Sequence, residues 1–387
     1  MKTEPLALRR FGAILAIALL PGCLETKTGS NGTGSVPADG KSLVAGTVVS
    51  VEPFSVGLAS LEPSTAVIRR DETTNAGVSS LRLGMNLEAA GTVTGPYGTV
   101  PVVLREGGAQ SAVRGPVISV DAAAQRFTVA TFTFVVDANT LYDGVAGFPG
   151  LASGAYVEVS GLPLADLRTI LATRITQTAA PADGRISVSA RIDSLSATGL
   201  SLAGILVPGI SSGSFSPPPP IGGRARVNGN YNAAAVAITN EFVFLLPDFA
   251  PAASTTVELE GIALNVASNG SFVLRTPAHD YDIAAGAPGP TPISSGARVR
   301  VVATASSATS LMPTSVTAVG QIVYRVSGTV SDYTSLAALR VRGEPVDLTT
   351  AVIRGGNASD IANGRRLAIV GTAGPGALRV SEATLLP

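Results

Sequence analysis

A short glycine-bounded motif recurs along this chain of 387 residues and constrains its fold more than any other feature. The motif opens on glycine, carries two aliphatic residues separated by one position, and closes seven positions later on glycine, or on alanine in one copy. A repeated motif at regular spacing indicates a chain built from copies of one structural unit. The copies are Gly84–Gly91, Gly154–Gly161, Gly222–Gly229, Gly296–Ala303 and Gly364–Gly371.

Each copy of the motif follows an earlier short apolar segment that opens the same unit. These opening segments include Gly46-Thr-Val48, Gly115-Pro-Val117 and Gly328-Thr-Val330. The five opening positions, 46, 115, 190, 260 and 328, are separated by 69, 75, 70 and 68 residues. Five units of this size fill the chain from Ser42 to Pro387.

The pattern inside a unit is typical of short strands. Val157-Glu-Val159 and Val299-Arg-Val301 alternate, which predicts one apolar sheet face and one face exposed to water. No segment after the N-terminal region keeps a helical period for three turns, although residues 359–364 fit one helical turn. Five or six strands with one such turn predict a small barrel of the OB type. The predicted fold class is therefore all-β, a tandem array of about five OB-like barrels.

A barrel of about 70 residues without a disulfide is only marginally stable alone. We therefore expect neighbouring units to pack on one another or to be closely tethered, as barrels in a row. The predicted divisions are a signal peptide at 1–22, a lipidated cysteine with a flexible linker at 23–41, and β units at 42–111, 112–180, 181–250, 251–324 and 325–387.

The N-terminus has the pattern of an exported protein. Lys2, Arg9 and Arg10 precede the uncharged run Phe11–Leu20, which is too short to span a bilayer. The run ends in Leu20-Pro21-Gly22-Cys23, which resembles the lipobox of bacterial lipoproteins. This resemblance implies cleavage after Gly22, acylation of Cys23 and a membrane anchor. Because Leu24 is not an aspartate, it further implies the outer membrane of a bacterial envelope.

Composition excludes several chemistries. Cys23 is the only cysteine and His279 the only histidine, so acylation of Cys23 leaves no thiol for disulfides, zinc sites or thiol catalysis. Beyond residue 22 the chain has 24 Lys and Arg against 26 Asp and Glu. This near-neutral balance gives no electrostatic reason to expect a nucleic acid partner.

The second unit carries a family resemblance. It shows an opening Gly115-Pro-Val117, then Phe127-Thr-Val129, the motif from Leu151 to Gly161, and a closing A-x-x-I at Ala172–Ile175. In this order the segments resemble the bacterial envelope family known as domain of unknown function 5666. The resemblance implies tandem domains behind a lipoprotein signal, and it brings no activity or catalytic motif.

Two groups of residues suggest chemistry. Gly209-Ile-Ser211-Ser-Gly213 matches the nucleophile elbow of serine hydrolases, and Asp248 and His279 follow in the order of a catalytic triad. However, the prolines at 217–220 prevent the helix that an elbow requires. His279-Asp-Tyr-Asp282 is a possible cation or acid–base site, but a polar hairpin surface explains it better.

Three further segments have simpler explanations. Gly34–Ser42 nearly matches a phosphate-binding loop, but it has five spacers and no preceding strand, which favours a linker. Pro217–Pro220 is expected to form a rigid loop. Arg69-Arg-Asp-Glu72 balances its own charges and is expected to form a solvated turn.

These observations predict a non-catalytic envelope lipoprotein that acts as a scaffold or binding module. We predict no catalytic residue, cofactor or metal site, and only Cys23 has a predicted chemical role. The membrane is the one expected partner, reached through the lipid, while a protein or glycan partner stays open. The alternative is a receptor that binds glycans or another ligand through an OB-type face with stacked aromatic rings. A serine hydrolase is the third hypothesis.

Overall fold

The computed structural model describes residues 40–63, 66–93, 100–286 and 292–387. The predicted signal peptide, Cys23 and the linker as far as residue 39 lie outside these residues. Within them, regular structure consists of 29 β-strands and four single-turn 3-10 helices, and no α-helix occurs. None of the described helices has the length and apolar character that crossing a membrane requires.

The strands fall into five groups along the chain, which we name barrels 1 to 5. Barrel 1 contains β1 (Gly40–Val51), β2 (Phe54–Val56), β3 (Ala59–Glu62), β4 (Val67–Arg70), a 3-10 helix (Val78–Ser80), β5 (Asn86–Val93) and β6 (Val102–Ala109). Barrel 2 contains β7 (Val113–Pro116), β8 (Ser119–Asp121), β9 (Arg126–Val129), β10 (Phe132–Val135), β11 (Leu141–Asp143), a 3-10 helix (Phe148–Gly150), β12 (Tyr156–Pro163) and β13 (Thr169–Gln177). Barrel 3 contains β14 (Ile186–Leu195), β15 (Leu200–Leu202), β16 (Ile205–Val207), a 3-10 helix (Ser212–Ser214), β17 (Arg224–Asn232) and β18 (Ala237–Leu245).

The last two groups follow the same order of strands. Barrel 4 contains β19 (Thr256–Leu264), β20 (Phe272–Arg275), β21 (Asp280–Ile283), β22 (Arg298–Ala305) and β23 (Ser310–Ala318). Barrel 5 contains β24 (Tyr324–Ser335), β25 (Ala338–Val341), β26 (Glu344–Asp347), β27 (Val352–Arg354), a 3-10 helix (Ala358–Asp360), β28 (Arg366–Ala373) and β29 (Leu378–Leu386).

Each group closes into a ring with the strand order of an OB fold. In barrel 3, β14 pairs with β15 and β17, β15 pairs with β16, and β17 pairs with β18, all antiparallel. A parallel pairing of β16 with β18 closes the ring. Barrel 4 repeats this order, and the other barrels only split the first or third strand into two. The predicted all-β fold of small OB-like barrels is confirmed.

The two glycines of the repeated motif have distinct structural roles. The first glycine of every copy has a positive φ, between 78° at Gly84 and 89° at Gly296, and it turns the chain into the fourth ring strand. The last one lies at a β-bulge between the fourth and fifth strands, as at Gly161. A Cβ added there would lie 2.5 Å from the carbonyl oxygen of Leu171. The motif therefore records a turn and a bulge rather than a ligand site.

The barrels do not form a row, so that expectation is wrong. Strand β1 of barrel 1 runs parallel to β19 of barrel 4, with Ser42 opposite Thr256, and also pairs with β24 of barrel 5 at Ser50. Strand β7 of barrel 2 pairs antiparallel with β14 of barrel 3. The opening strands thus pair with one another, because each extends past its own barrel and leaves part of its edge free for pairing.

The hydrophobic cores merge in the same way. One buried cluster joins barrels 1 and 5, and includes Val44 and Val326. A second joins barrels 2 and 3, and includes Val157 and Val227. A third cluster contains the core of barrel 4 together with Leu43 and Ala45 of β1 in barrel 1. Sharing a core provides the burial that a single barrel of this size lacks.

The charged strand faces predicted to meet water are instead buried between barrels. Glu158 is 7% exposed, and the Arg300 side chain is 13% exposed. Arg174 of β13 binds the Glu344 carboxylate of barrel 5 at 2.7 Å and donates to the carbonyl oxygen of Leu83 in barrel 1 at 2.9 Å. The prediction of a wet face is wrong because ion pairs neutralise these charges where the barrels meet.

Candidate functional site

A cleft opens where barrel 3 meets barrel 2, and we name it the aromatic cleft. Its volume is about 530 Å³, within the usual range for ligand pockets. The sheet beneath it is continuous across both barrels, because β7 and β14 pair. The lining residues are Glu72, Arg114, Tyr156, Glu158, Thr178, Ala179, Pro181, Asp183, Arg185, Ile186, Ser187, Asn228, Phe242 and Phe244.

One lateral row of side chains runs across five strands along the base of the aromatic cleft. Strand register places Glu158 opposite Arg114, Arg114 opposite Ser187, Ser187 opposite Asn228, and Asn228 opposite Phe242. Because residues in register on adjacent strands point to the same sheet face, these five side chains share one surface. Along the row, charged groups in barrel 2 are followed by uncharged polar groups and then by an aromatic ring in barrel 3.

Two phenylalanines form the aromatic end of the cleft. Phe242 is 59% exposed and Phe244 is 39% exposed, although neighbouring Val243 packs against the core of barrels 2 and 3. Alternation along β18 places both side chains on the outer face, with their Cα atoms about 7 Å apart. The Arg185 guanidinium lies 5.0 Å from the centroid of the Phe242 ring, a cation–π contact that holds this ring in place.

A network of ion pairs forms the charged end of the cleft, and we name it the junction network. It comprises Arg70, Asp71, Glu72, Arg114, Glu158 and Arg226. Arg226 of barrel 3 is fully buried and lies 3.0 Å from an Asp71 oxygen of barrel 1. Arg114 of barrel 2 lies 3.3 Å from the other Asp71 oxygen and 3.2 Å from Glu158. The network therefore ties three barrels together beneath the cleft.

The junction network favours the charged forms of Glu72 and Arg114. Burial by itself would raise the pKa of Glu72, but the charge and hydrogen bond of Arg226, with the charge of Arg114, lower it to about 2. Burial would lower the pKa of Arg114, but Glu158, Asp71 and Glu72 raise it above its usual value. Glu72 is thus ionised at neutral pH and is not suited to proton transfer.

The solvated, self-balanced turn predicted at Arg69-Arg-Asp-Glu72 is wrong for three of its four residues. Arg70 belongs to β4 and lies 3.0 Å from Glu158 of barrel 2. Asp71 is only 8% exposed and accepts hydrogen bonds from the backbone and hydroxyl of Ser111. Glu72 accepts from the hydroxyl of Ser187 at 3.2 Å. The adjacent arginines are not the only partners of these carboxylates. Barrels 2 and 3 supply further partners that lie far away in the sequence.

The serine hydrolase candidates are only partly brought together. The His279 Nε2 atom lies 2.7 Å from the Asp248 Oδ1 atom, and both side chains line a small cavity with the segment 219–224. Ser211 does not line that cavity; it caps the 3-10 helix Ser212–Ser214 through a reciprocal bond with Ser214. The required strand–serine–helix arrangement is absent from this described segment.

The tetrad His279–Asp282 forms part of a hairpin, as the polar-hairpin interpretation predicts, but its side chains have separate roles. Asp280 binds Arg191 of barrel 3 at 2.8 Å and Arg275 at 2.6 Å. Tyr281 is completely buried in the barrel 4 core. Among the described residues, no group of three or more His, Cys, Asp or Glu side chains is placed to hold a metal ion.

The remaining candidates give no site. Gly40, Lys41 and Ser42 belong to the strand β1, so that end of the possible phosphate loop is extended. Residues 34–39 of that motif and Cys23 lie outside the described residues. Pro217–Pro220 lies between the 3-10 helix of barrel 3 and β17, without helix or strand.

Sequence reasoning did not select Phe242 and Phe244. The available signal was their alternation around Val243 at the end of β18, which indicates one shared face. Alternation alone cannot tell whether such a face is covered by another barrel, as happens to Glu158 and Arg226. Chemically, the cleft offers two rings for stacking and a row of hydrogen-bonding groups, without an unpaired general base among its described residues.

Residues 114–176 match a family described as Domain of unknown function (DUF5666). The matched segment extends from β7 into β13 and supplies Arg114, Tyr156 and Glu158 to the aromatic cleft. Curated proteins include no match to this chain.

Proposed function

We propose that this protein is a lipid-anchored, non-catalytic binding protein of a bacterial cell envelope. In this proposal Cys23 carries the lipid, the joined barrels form a rigid scaffold, and the aromatic cleft holds an extended ligand with flat faces. The supporting observation is the exposure of Phe242 and Phe244 together in a cleft of ligand-binding size. Large exposed aromatic rings are unfavourable in water and commonly mark contact surfaces.

The polar end of the cleft supports binding rather than catalysis. Arg114 pairs with both Glu72 and Glu158 in the junction network, so all three side chains are engaged with one another. The Tyr156 hydroxyl donates to the carbonyl oxygen of Arg185 at 2.6 Å, and burial raises the pKa of this tyrosine. Fixed groups of this kind orient a ligand without reacting with it.

The cleft also differs from the usual OB ligand face. Ligands of OB folds generally bind across the second and third strands. In barrel 3 those strands are β15 and β16, whereas Phe242 and Asn228 lie on the fifth and fourth ring strands. We therefore propose a binding face that forms only when two barrels join through β7 and β14.

Replacing both phenylalanines tests the cleft. Phe242→Ala with Phe244→Ala should weaken binding of array-identified oligosaccharides about tenfold or more, since each stacking contact contributes roughly 1–3 kcal/mol. Isothermal titration calorimetry measures the change. Met312→Ala, which truncates an exposed side chain of barrel 4, is the matched control and should bind as the wild type does. Equal affinity of the double variant and the control would reject the cleft as the binding site.

Replacing the cysteine tests the anchor separately. Cys23→Ser should abolish incorporation of labelled palmitate and move the protein from the detergent phase to the aqueous phase, because acyl chains provide membrane affinity. Pro21→Ala keeps the aliphatic and small positions of the lipobox and should retain the label. A wild-type protein that is unlabelled and partitions into the aqueous phase contradicts the anchor.

A further inference from the structure

We propose that the aromatic cleft selects uncharged glycan chains and excludes polyanions, an inference that rests on the proposed binding function. The cleft places two exposed phenylalanine rings beside a row of polar groups. The arginines that line the cleft already pair with carboxylates. Sugar rings have apolar C–H faces that fit aromatic side chains, and hydroxyl groups that both donate and accept hydrogen bonds. An anionic polymer needs free cations instead.

The charge of the lining favours a neutral occupant. Three carboxylates, those of Glu72, Glu158 and Asp183, face the cleft with only two guanidiniums, those of Arg114 and Arg185. Both guanidiniums are engaged. Arg114 contacts Asp71, Glu72 and Glu158, while Arg185 lies 3.0 Å from Asp183 and over the Phe242 ring.

Releasing an arginine to bind an anion is unfavourable here. Arg114 would leave Asp71 and Glu158, whose side chains are 4% and 9% exposed, with one fewer positive partner. Separating a buried carboxylate from its partner is strongly destabilising. A phosphate or uronate entering the cleft would therefore meet uncompensated negative charge.

The polar groups of the cleft match hydroxyl groups instead. Carboxylate oxygens accept from hydroxyl donors, and the Asn228 side-chain amide can donate. In either orientation of its amide, Asn228 contacts the Ser187 hydroxyl with one group and keeps at least one N–H that this serine does not use. A chain of neutral sugars can donate to the carboxylates and accept from this amide while its rings stack on Phe242 and Phe244.

Asp183 is the residue expected to determine this selectivity. Its side chain is 57% exposed and holds Arg185 from the solvent side. Asp183→Asn removes one negative charge and releases Arg185 to contact anions, without removing a buried group. Asp332→Asn is the matched control, because Asp332 is also exposed and pairs with an arginine, Arg340, in barrel 5.

Calorimetry with matched probes tests the inference. Neutral hexasaccharides of glucose, galactose and mannose are compared with hexamers of glucuronate and galacturonate, a single-stranded hexanucleotide and an extended apolar peptide. We expect a neutral hexamer to bind at least about tenfold more tightly than every anionic probe. Asp183→Asn should lower the ratio of neutral to anionic affinity several-fold, while Asp332→Asn should leave this ratio unchanged.

The outcomes separate the two proposals. In one outcome, an anionic probe or the peptide binds as tightly as the neutral hexamers or more tightly, and this binding is lost in the Phe242/Phe244 double variant. That outcome overturns the selectivity and preserves the binding function. Neutral binding that persists in the double variant overturns both claims about the cleft. If no probe binds to the folded protein, both the selectivity for neutral glycans and the proposed binding function are rejected.

Discussion

Arg226 illustrates how the barrels are held together at the level of single residues. Its guanidinium is fully buried, yet it lies within contact distance of Asp71 and Glu72 and donates to the Ser189 hydroxyl at 2.7 Å. Burying such a charge is costly unless charged and hydrogen-bonding partners surround it. The carboxylates come from barrel 1 and the hydroxyl from β14 of barrel 3, so removing either carboxylate would leave this buried charge with one fewer partner.

Glu72 gives the junction network a predictable response to pH. Its pKa is about 2 in the folded protein, below the ordinary value of 4.5, so its ionised form stabilises the fold above pH 4.5. That contribution is lost as the pH falls through about 2. Glu72→Gln should lower the free energy of unfolding by about 1–2 kcal/mol at pH 7, since part of the side chain meets solvent. The deficit should shrink between about pH 4.5 and pH 2.

Urea unfolding monitored by circular dichroism at several pH values measures this deficit. Glu382→Gln is the control, since Glu382 pairs with Arg354 on the exposed surface. Exposed pairs contribute little, so the control should change stability by less than about 1 kcal/mol. A Glu72→Gln deficit that stays constant from pH 7 to pH 2 would show that the ion pair with Arg226 is not its source.

The burial of individual charged residues could not be predicted from the sequence. In the motif of barrel 3, Ala225 and Val227 alternate with Arg224 and Arg226, and this period correctly places the arginines outside the barrel. It does not reveal that barrel 1 then covers them. Arg226 and Asp71 are 155 positions apart by residue number, so only the assembled fold brings their charges together.

At the level of strands, the closing position of the motif is the most sensitive point. A Cβ at Gly161 would also lie 2.4 Å from an Ile170 methyl carbon of the adjacent strand. Gly161→Ala should therefore lower the free energy of unfolding by about 1–3 kcal/mol, because the bulge must widen to admit the methyl group. Ala303 occupies the matching bulge of barrel 4, so a Cβ is tolerated at this position in that barrel.

Urea denaturation measures the effect of Gly161→Ala against Gly320→Ala. A Cβ at Gly320 has no atom within 4 Å, so this control should be neutral or slightly stabilising. Equal stability of the two variants would mean that close strand contact is not the reason for glycine at the bulge.

Strand order was predictable because its causes are local. Positive φ at Gly154, the bulge at Gly161 and the alternation between them are set by neighbouring residues, so they appear as a repeated motif. The pairing between β1 and β19 produces no comparable sequence motif, since any exposed strand edge can pair with another. The same limit applies to the cleft, which depends on the junction of β7 with β14.

For the whole molecule, shared cores predict that barrels unfold in pairs. Val326 of barrel 5 belongs to the cluster that includes Val44 of barrel 1. Val326→Ala should lower stability by about 2 kcal/mol and should increase amide exchange in barrels 1 and 5 together. Hydrogen–deuterium exchange with mass spectrometry measures each barrel separately.

Val227→Ala is the reciprocal control, because it lies in the cluster of barrels 2 and 3. It should increase exchange in those two barrels first. Faster exchange confined to the single substituted barrel in either variant would show that the barrels unfold independently, despite their merged cores.

The pairing of β1 with strands from the far end of the chain also determines when barrel 1 can be completed. The Thr47 hydroxyl donates to Glu260, 213 residues later, and the Ser327 hydroxyl donates to the Glu52 carbonyl oxygen across 275 residues. At synthesis rates of 5–20 residues per second, 213 residues take about 10–40 s. Barrel 1 therefore acquires all its partners only after barrels 4 and 5 have been synthesised, and its open edge must be kept from other chains until then.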